Sequence, residues 1–192
     1  MLNFGYWHKE DISPVNAQNR LCNKIGKLAE LNSAKSLLDI GSGLSLPAIM
    51  WNISYPSIDI SCLNINYTQL QLAQKIVNEK TLNQTIHEIN STSSMLPFLT
   101  NSVERIIALE SAQHFKPFNN FIAESYRVLK KDGILTIAMP VIKKKSSMRN
   151  LGILALTWSS EHYSERFVIN EITKKFKLIK KMEIGPNVFE PL

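Results

Sequence analysis

Six short runs of apolar and β-branched residues punctuate the chain: "SLLDIG", "SIDISCLNI", "QTIHEI", "VERIIAL", "GILTIAM" and "KLIKKMEI". Between several of them apolar residues recur at helical spacing, over Leu46 to Ile53, over Tyr67 to Lys80 with Leu70, Ala73, Ile76 and Val77 on one face, and over Phe118 to Leu129 with Phe121, Ile122, Ser125, Val128 and Leu129. A further helix, about Val15 to Leu31, precedes the first strand, and "KKDG" with Gly133 reads as a helix stop before the fifth. Strand and helix in alternation predict an α/β fold, a doubly wound, mostly parallel sheet covered on both sides. There are no repeats, low-complexity tracts or linkers to mark a second domain, and the most loop-like break is Pro140 to Asn150.

Composition narrows the class. With 192 residues, 44% hydrophobic and 20% charged, the chain can bury one sizeable core. Its longest apolar runs fall well short of the roughly 20 residues of a membrane span, and the start "MLNFGYWHKED" lacks a signal-peptide layout, so a cytoplasmic protein is expected. Cys22 and Cys62 form no CxxC pair and neighbour no histidine cluster, so packing roles are expected and no metal site. The formal charge of +6 sits partly in lysine runs at 130–131, 143–145, 174–175 and 180–181. These are spread over predicted loops and helix faces with no nucleic-acid-binding motif around them, so a solvated surface is favoured and nucleic acid disfavoured.

The chemistry concentrates at "LLDIGSGLSLPAI", Leu37 to Ile49, a strand that ends in a carboxylate, makes a glycine turn and opens a helix. In such a sheet the first strand-to-helix turn approaches the ligand closely. The dinucleotide fingerprint G-x-G-x-x-G would need glycine where Leu46 stands, so NAD is disfavoured. An acid two residues before G-x-G fits instead: Asp39 ends the strand and can accept hydrogen bonds around the turn or from an amino-acid ammonium.

With these residues the sequence resembles the class I S-adenosylmethionine-dependent methyltransferases, in particular the small-molecule group related to sugar, polyketide and tocopherol methyltransferases. Four pieces in order carry the resemblance: "NFGYW" (Asn3 to Trp7), the glycine turn, "LNINYTQLQLAQ" (Leu63 to Gln74), and "LPFLTNSVERIIALESAQHF" running into "FIAESYRVLKKDGILTIA" (Leu96 to Ala138). The resemblance implies S-adenosyl-L-methionine as cofactor, with Asp39, Gly41, Ser42 and Gly43 around its methionine part. Asn64, Ile65 and Gln69 would then lie at the ribose, Thr92 and Ser93 near the adenine, and Tyr6 and Trp7 in an N-terminal lid. Residues 1–35 would form lid and helix, 36–140 the cofactor core, and 141–192 a partial substrate cap and last strand.

The resemblance also implies transfer of a methyl group to a small molecule, at oxygen in preference to nitrogen or carbon. His114, after the fourth strand, is the expected proton acceptor, and Glu110 is expected to orient it or touch cofactor. Ser45 occupies a third small position of the turn. Several positions depart from the family pattern: Asn64 replaces an acid, Thr92 and Ser93 stand where "DA" is usual, "SVE" (Ser102 to Glu104) replaces "SFD", and Met139 takes a position that is acidic in some relatives. The resemblance implies a final strand beyond Leu192, so "GILTIAM" is expected at a sheet edge unless "KLIKKMEI" or another chain pairs with it, which opens a homo- or hetero-oligomer. Two rival readings follow: a catalytically silent subunit acting through a protein partner, and a nucleic-acid methyltransferase, against which stands the absence of an "NPPY" motif. His8, His87 and His162 have no comparable context.

Overall fold

The computed structural model describes residues 4–8, 13–142 and 163–188. Five strands form one parallel sheet: β1 (Ser36–Ile40), β2 (Asp59–Asn64), β3 (Ile86–Asn90), β4 (Val103–Leu109) and β5 (Leu129–Ala138), in the order β3-β2-β1-β4-β5. The helices are α1 (Pro14–Leu28), α2 (Leu46–Ser54), α3 (Tyr67–Glu79), α4 (Phe118–Val128), α5 (Glu165–Thr173) and the single turn α6 (Gly185–Val188). This is the expected doubly wound α/β fold.

Three of the helices begin where the sequence supplies a side-chain cap. Ser13, Asn66 and Ser164 accept from the backbone N–H three residues on, at the starts of α1, α3 and α5. The sheet separates two cores. One gathers Leu37, Ile60, Ile86 and Ile107 under α1 and α2, with fully buried Trp51 between those helices. The other gathers Leu38, Ile40, Leu63, Ile106 and Ala108 against Phe118, Phe121 and Ile122 of α4.

Three expectations are corrected. The first helix ends at Leu28; Glu30 takes a left-handed φ of 52° and Leu31–Ser33 form a separate 3-10 turn. Gly133 is not the stop of α4, which ends at Val128. Val103 pairs with Leu129 but Arg105 with Ile134, so the residues between 129 and 134 bulge out of β5, and the left-handed residue is Asp132 (φ 63°). Gly133 is needed for close approach, since a Cβ there would fall 2.8 Å from the Lys130 carbonyl oxygen. Finally, Lys177 to Ile184 forms no strand, and β5 has β4 as its one sheet neighbour among the described residues. A cavity of about 450 Å³ lies along β5, between α1 and residues 176–184. Most of the Pro140–Asn150 break and His162 lie outside the described residues. Among the described residues no helix is long and apolar enough to cross a membrane.

Candidate cofactor and active site

The glycine turn lies at the carboxyl end of β1, the central strand. Gly41 and Gly43 take φ of 79° and 59°, a region open to glycine and costly for other residues. The Gly41 and Ser42 N–H groups donate to the Leu63 carbonyl at 2.7 and 3.2 Å, tying the turn to β2. Space demands glycine as well: a Cβ on Gly41 would sit 2.4 Å from that of Ser111, whose hydroxyl donates to the Ile40 carbonyl at 2.6 Å.

Asp39 is only 2% exposed and its Oδ2 has no hydrogen-bond partner within the protein. Register places it opposite Cys62, and Cys62 opposite Glu88, so the three share a row and a face of the sheet. Two residues earlier the same strands contribute Leu37, Ile60 and Ile86. An apolar row is thus followed by a polar one at the ligand edge. Burial pushes Asp39 up to about 7, with the Glu88 charge as second cause, and burial also pushes Glu88 up to about 7 against the Ser45 hydrogen bond. Cys62 is buried in this row with its thiol held well above its ordinary value, so it neighbours the chemistry besides packing. Cys22 lies in the core, its carbonyl accepting from Trp51.

The loop after β2 is a hydrogen-bonded lattice. Asn64 Nδ2 donates to the Gly43 carbonyl (3.2 Å) and to Gln69 Oε1 (2.9 Å), and its Oδ1 accepts from the Asn66 N–H. A carboxylate could not donate these two bonds, which gives the amide a structural reason to replace the acid. Asn90 closes the loop from β3 by donating to the Asn64 and Ile65 carbonyls, and Ile65 stays 74% exposed beside it. Thr92 is half-buried with its hydroxyl 3.1 Å from that of Ser94, and Ser93 is buried. The "LPF" stretch that follows is clasped from α4: Glu124 accepts from the Leu96 N–H while Arg127 donates to the Leu96 and Phe98 carbonyls.

The N-terminal segment lies over the end of β4. Tyr6 N–H donates to the Ala17 carbonyl, Trp7 N–H to that of Asn187, and Asn187 Nδ2 back to the Trp7 carbonyl. Arg20 holds the Tyr6 carbonyl and the Lys24 ammonium sits 4.5 Å from the Tyr6 ring centre. The carboxylate of Glu110 accepts from the Phe4 N–H at 2.9 Å. Glu110 therefore latches this segment, and its carboxylate makes no hydrogen bond to His114. Burial pushes it up to about 7 although the Phe4 bond pulls the other way. His114 is exposed in the 3-10 turn Ala112–His114, its Nε2 3.4 Å from Gln113 Nε2. His87 lies away from this edge, 2.8 Å from Asp59, and His8 packs edge-on against Tyr6. A Phe4→Pro variant lacks the N–H that Glu110 accepts. Hydrogen exchange at the Tyr6 and Trp7 amides is expected to accelerate about tenfold, the loss of one bond of ~1–2 kcal/mol.

Sequence reasoning did not single out Glu88, Arg20 or Asn187. For Glu88 a signal existed, since it shares the inward phase of β3 with Ile86. Asn187 and Arg20 act on main-chain atoms and left none.

A parallel sheet in this order, with a glycine turn after its central strand and a loop lattice after the next, defines a Rossmann-like nucleotide-cofactor fold. The chain belongs to the methyltransferase-domain family, which it matches over residues 38–137. It is similar to erythromycin 3''-O-methyltransferase of Saccharopolyspora erythraea, 24% identical over 136 residues that make up 71% of this chain and 44% of that protein. It is also similar to methyltransferase GfsG of Streptomyces halstedii, 26% identical over 144 residues, 74% of this chain and 51% of that one. The chain spans about half the length of these curated relatives. Among solved structures the cyclopropane synthase MmaA2 of Mycobacterium tuberculosis shares the fold, with a TM-score of 0.82 at 17% identity over 97% of this chain and 70% of that one.

S-adenosylmethionine is the cofactor of this domain. The residues fit it. Asp39 Oδ2 and Ser42 Oγ are buried without a protein partner at the turn, and the Asp39 carboxylate suits a ligand with a cationic amino-acid end. Among the described residues no group of three or more His, Cys, Asp or Glu could hold a metal ion.

Proposed function

We propose that the protein methylates a small-molecule acceptor, at a hydroxyl group. The observation that carries this reading is the buried, unpartnered Asp39 carboxylate beside the left-handed glycine turn, in a chain whose similar proteins include one named as an O-methyltransferase. Asp39, Ser42 and the backbone of Gly41 and Gly43 hold the amino-acid end of the cofactor. The Asn64 amide is fixed by Gly43 and Gln69, which leaves a lone pair of its Oδ1 for a ribose hydroxyl, with exposed Ile65 beside the base and Thr92 and Ser93 at its far edge. Tyr6 and Trp7 cover the site and exclude water. When bound, S-adenosylmethionine would supply an electrophilic methyl group on its sulfonium, with S-adenosylhomocysteine as the leaving group once the C–S bond breaks. His114, exposed at the carboxyl edge, takes the acceptor's proton in this reading.

Calorimetry with S-adenosylmethionine, S-adenosylhomocysteine and NAD tests the site, and mass spectrometry of products from a panel of sugar, polyketide and phenol hydroxyls tests the reaction. Micromolar binding of the first two, none of NAD, and a mass gain of one methyl on a hydroxyl are the expected results. No binding of either sulfur compound to folded protein would overturn the reading.

A further inference from the structure

The row Asp39, Cys62, Glu88 contains one acid that the cofactor reading does not use. Glu88 half-buries its side chain on β3, with Oε1 buried and unpartnered, while Oε2 accepts the Ser45 hydroxyl at 3.1 Å. Ser45 is itself unusual. It stands at the N-cap of α2 with φ 55° and its side chain caps nothing; the hydroxyl crosses to β3 instead. A non-glycine residue in this conformation persists when its surroundings hold it, and the Glu88 bond is the visible hold.

We propose that Glu88 is a positioning residue of the cofactor turn, anchoring Ser45 and, through its charge, keeping Asp39 protonated in the free protein, so that a cationic amino-acid group entering the turn drives that proton out. The inference rests on the cofactor reading above.

Two carboxylates on one sheet row, separated by a single cysteine, do not both ionise cheaply without a counter-charge. No counter-charge faces them among the described residues. β2 contributes the neutral Cys62 thiol and β4 the apolar Ile107. Helix α2 carries no charged residue, and on α3 Lys75, Glu79 and the following Lys80 are exposed to solvent. From α1, Arg20 and Lys24 are engaged by Tyr6, and Lys27 is exposed. At the end of β4 stands a third acid, Glu110, bound to Phe4. Burial and then the Glu88 charge push Asp39 up to about 7, in agreement with a proton held on Asp39 near neutral pH. An ammonium placed at Asp39 supplies the missing positive charge, and Asp39 releases its proton to solvent as it binds.

The test uses Glu88→Gln, which keeps an acceptor for Ser45 but removes the charge, and Ser45→Ala, which removes the anchor but keeps both acids. Side-chain carboxyl ¹³C titration of the free protein is expected to place Asp39 near neutral pH in the wild type and at least about one pH unit lower in Glu88→Gln. Calorimetry of S-adenosylhomocysteine and S-adenosylmethionine at pH 6.5, in buffers of different ionisation enthalpy, should show about one proton released in the wild type. In Glu88→Gln the release should fall by about half or more, and Ser45→Ala should weaken binding about fivefold with release intact. Asp39 titrating alike in wild type and Glu88→Gln, or equal proton counts in both, would overturn the proposal. Absence of heat from either ligand, with the pair still titrating near neutral pH, would overturn the cofactor reading instead.

Discussion

Asp39→Asn is expected to unfold at a higher temperature than the wild type at pH 8 while binding S-adenosylmethionine about 10–100-fold more weakly. The two effects have one origin. Asp39 ionises near 3.8 in the unfolded chain and near 7 in the folded one, because burial and Glu88 penalise its charge. Between those values the folded chain holds a proton that the unfolded chain has released, so stability falls as pH rises from about 4 to about 7 and the full cost remains at pH 8. A shift of this size in a residue 2% exposed corresponds to roughly 2–4 kcal/mol. The neutral amide escapes that cost, and Tm should rise by roughly 5–10 °C at pH 8. Below about pH 4 the gain should vanish, since the acid is then neutral in both states. The binding loss follows from removing a charged acceptor, worth roughly 1.5–3 kcal/mol. Paired melts at pH 4 and pH 8 with calorimetry at pH 8 check the prediction. A lower Tm at both pH values would mean that the carboxylate makes a stabilising contact, contrary to its unpartnered Oδ2.

This trade of stability for a charged, unpartnered group is where the sequence stopped being legible. Periodicity located five strands and four of the helices within a few residues, because each of those elements buries a face that the pattern of apolar residues encodes. The glycine turn was legible for the same reason: few residues other than glycine tolerate the φ of Gly41 and Gly43. "KLIKKMEI" was misread because its alternation suits a strand, while strand formation needs a pairing neighbour that the pattern does not specify. The latch of Glu110 escaped because its donor is the main-chain N–H of Phe4, over a hundred residues away and invisible in any side-chain pattern. Asn64 drew notice only as a residue at the ribose, and no pattern showed that its amide also ties two loops together through Gly43 and Gln69. Glu88 was readable only as an acid on the inward phase of β3, and its meaning needed the register that sets it beside Cys62 and Asp39.

Trp51→Ala should be the most destabilising single change in the core, at roughly 3–5 kcal/mol, and should lower Tm by more than about 10 °C. The indole is fully buried, its Nε1 donates to the Cys22 carbonyl at 2.9 Å, and it lies against Gly26, where a Cβ would be 3.0 Å from the ring. It thereby joins α1 to α2 through both packing and a polar bond. Since α2 starts directly after the glycine turn, the variant also tests what fixes that turn. Ser45 and Asn64 tie the turn region to β3 and β2, and Ser111 ties the end of β1 to the segment after β4, through hydrogen bonds that do not involve Trp51. Cofactor affinity measured well below the lowered Tm should therefore stay within about twofold of the wild type, in contrast to Asp39→Asn. A tenfold loss of affinity in folded Trp51→Ala would show instead that the packing of α1 on α2 holds the turn in place and that the hydrogen bonds alone are insufficient.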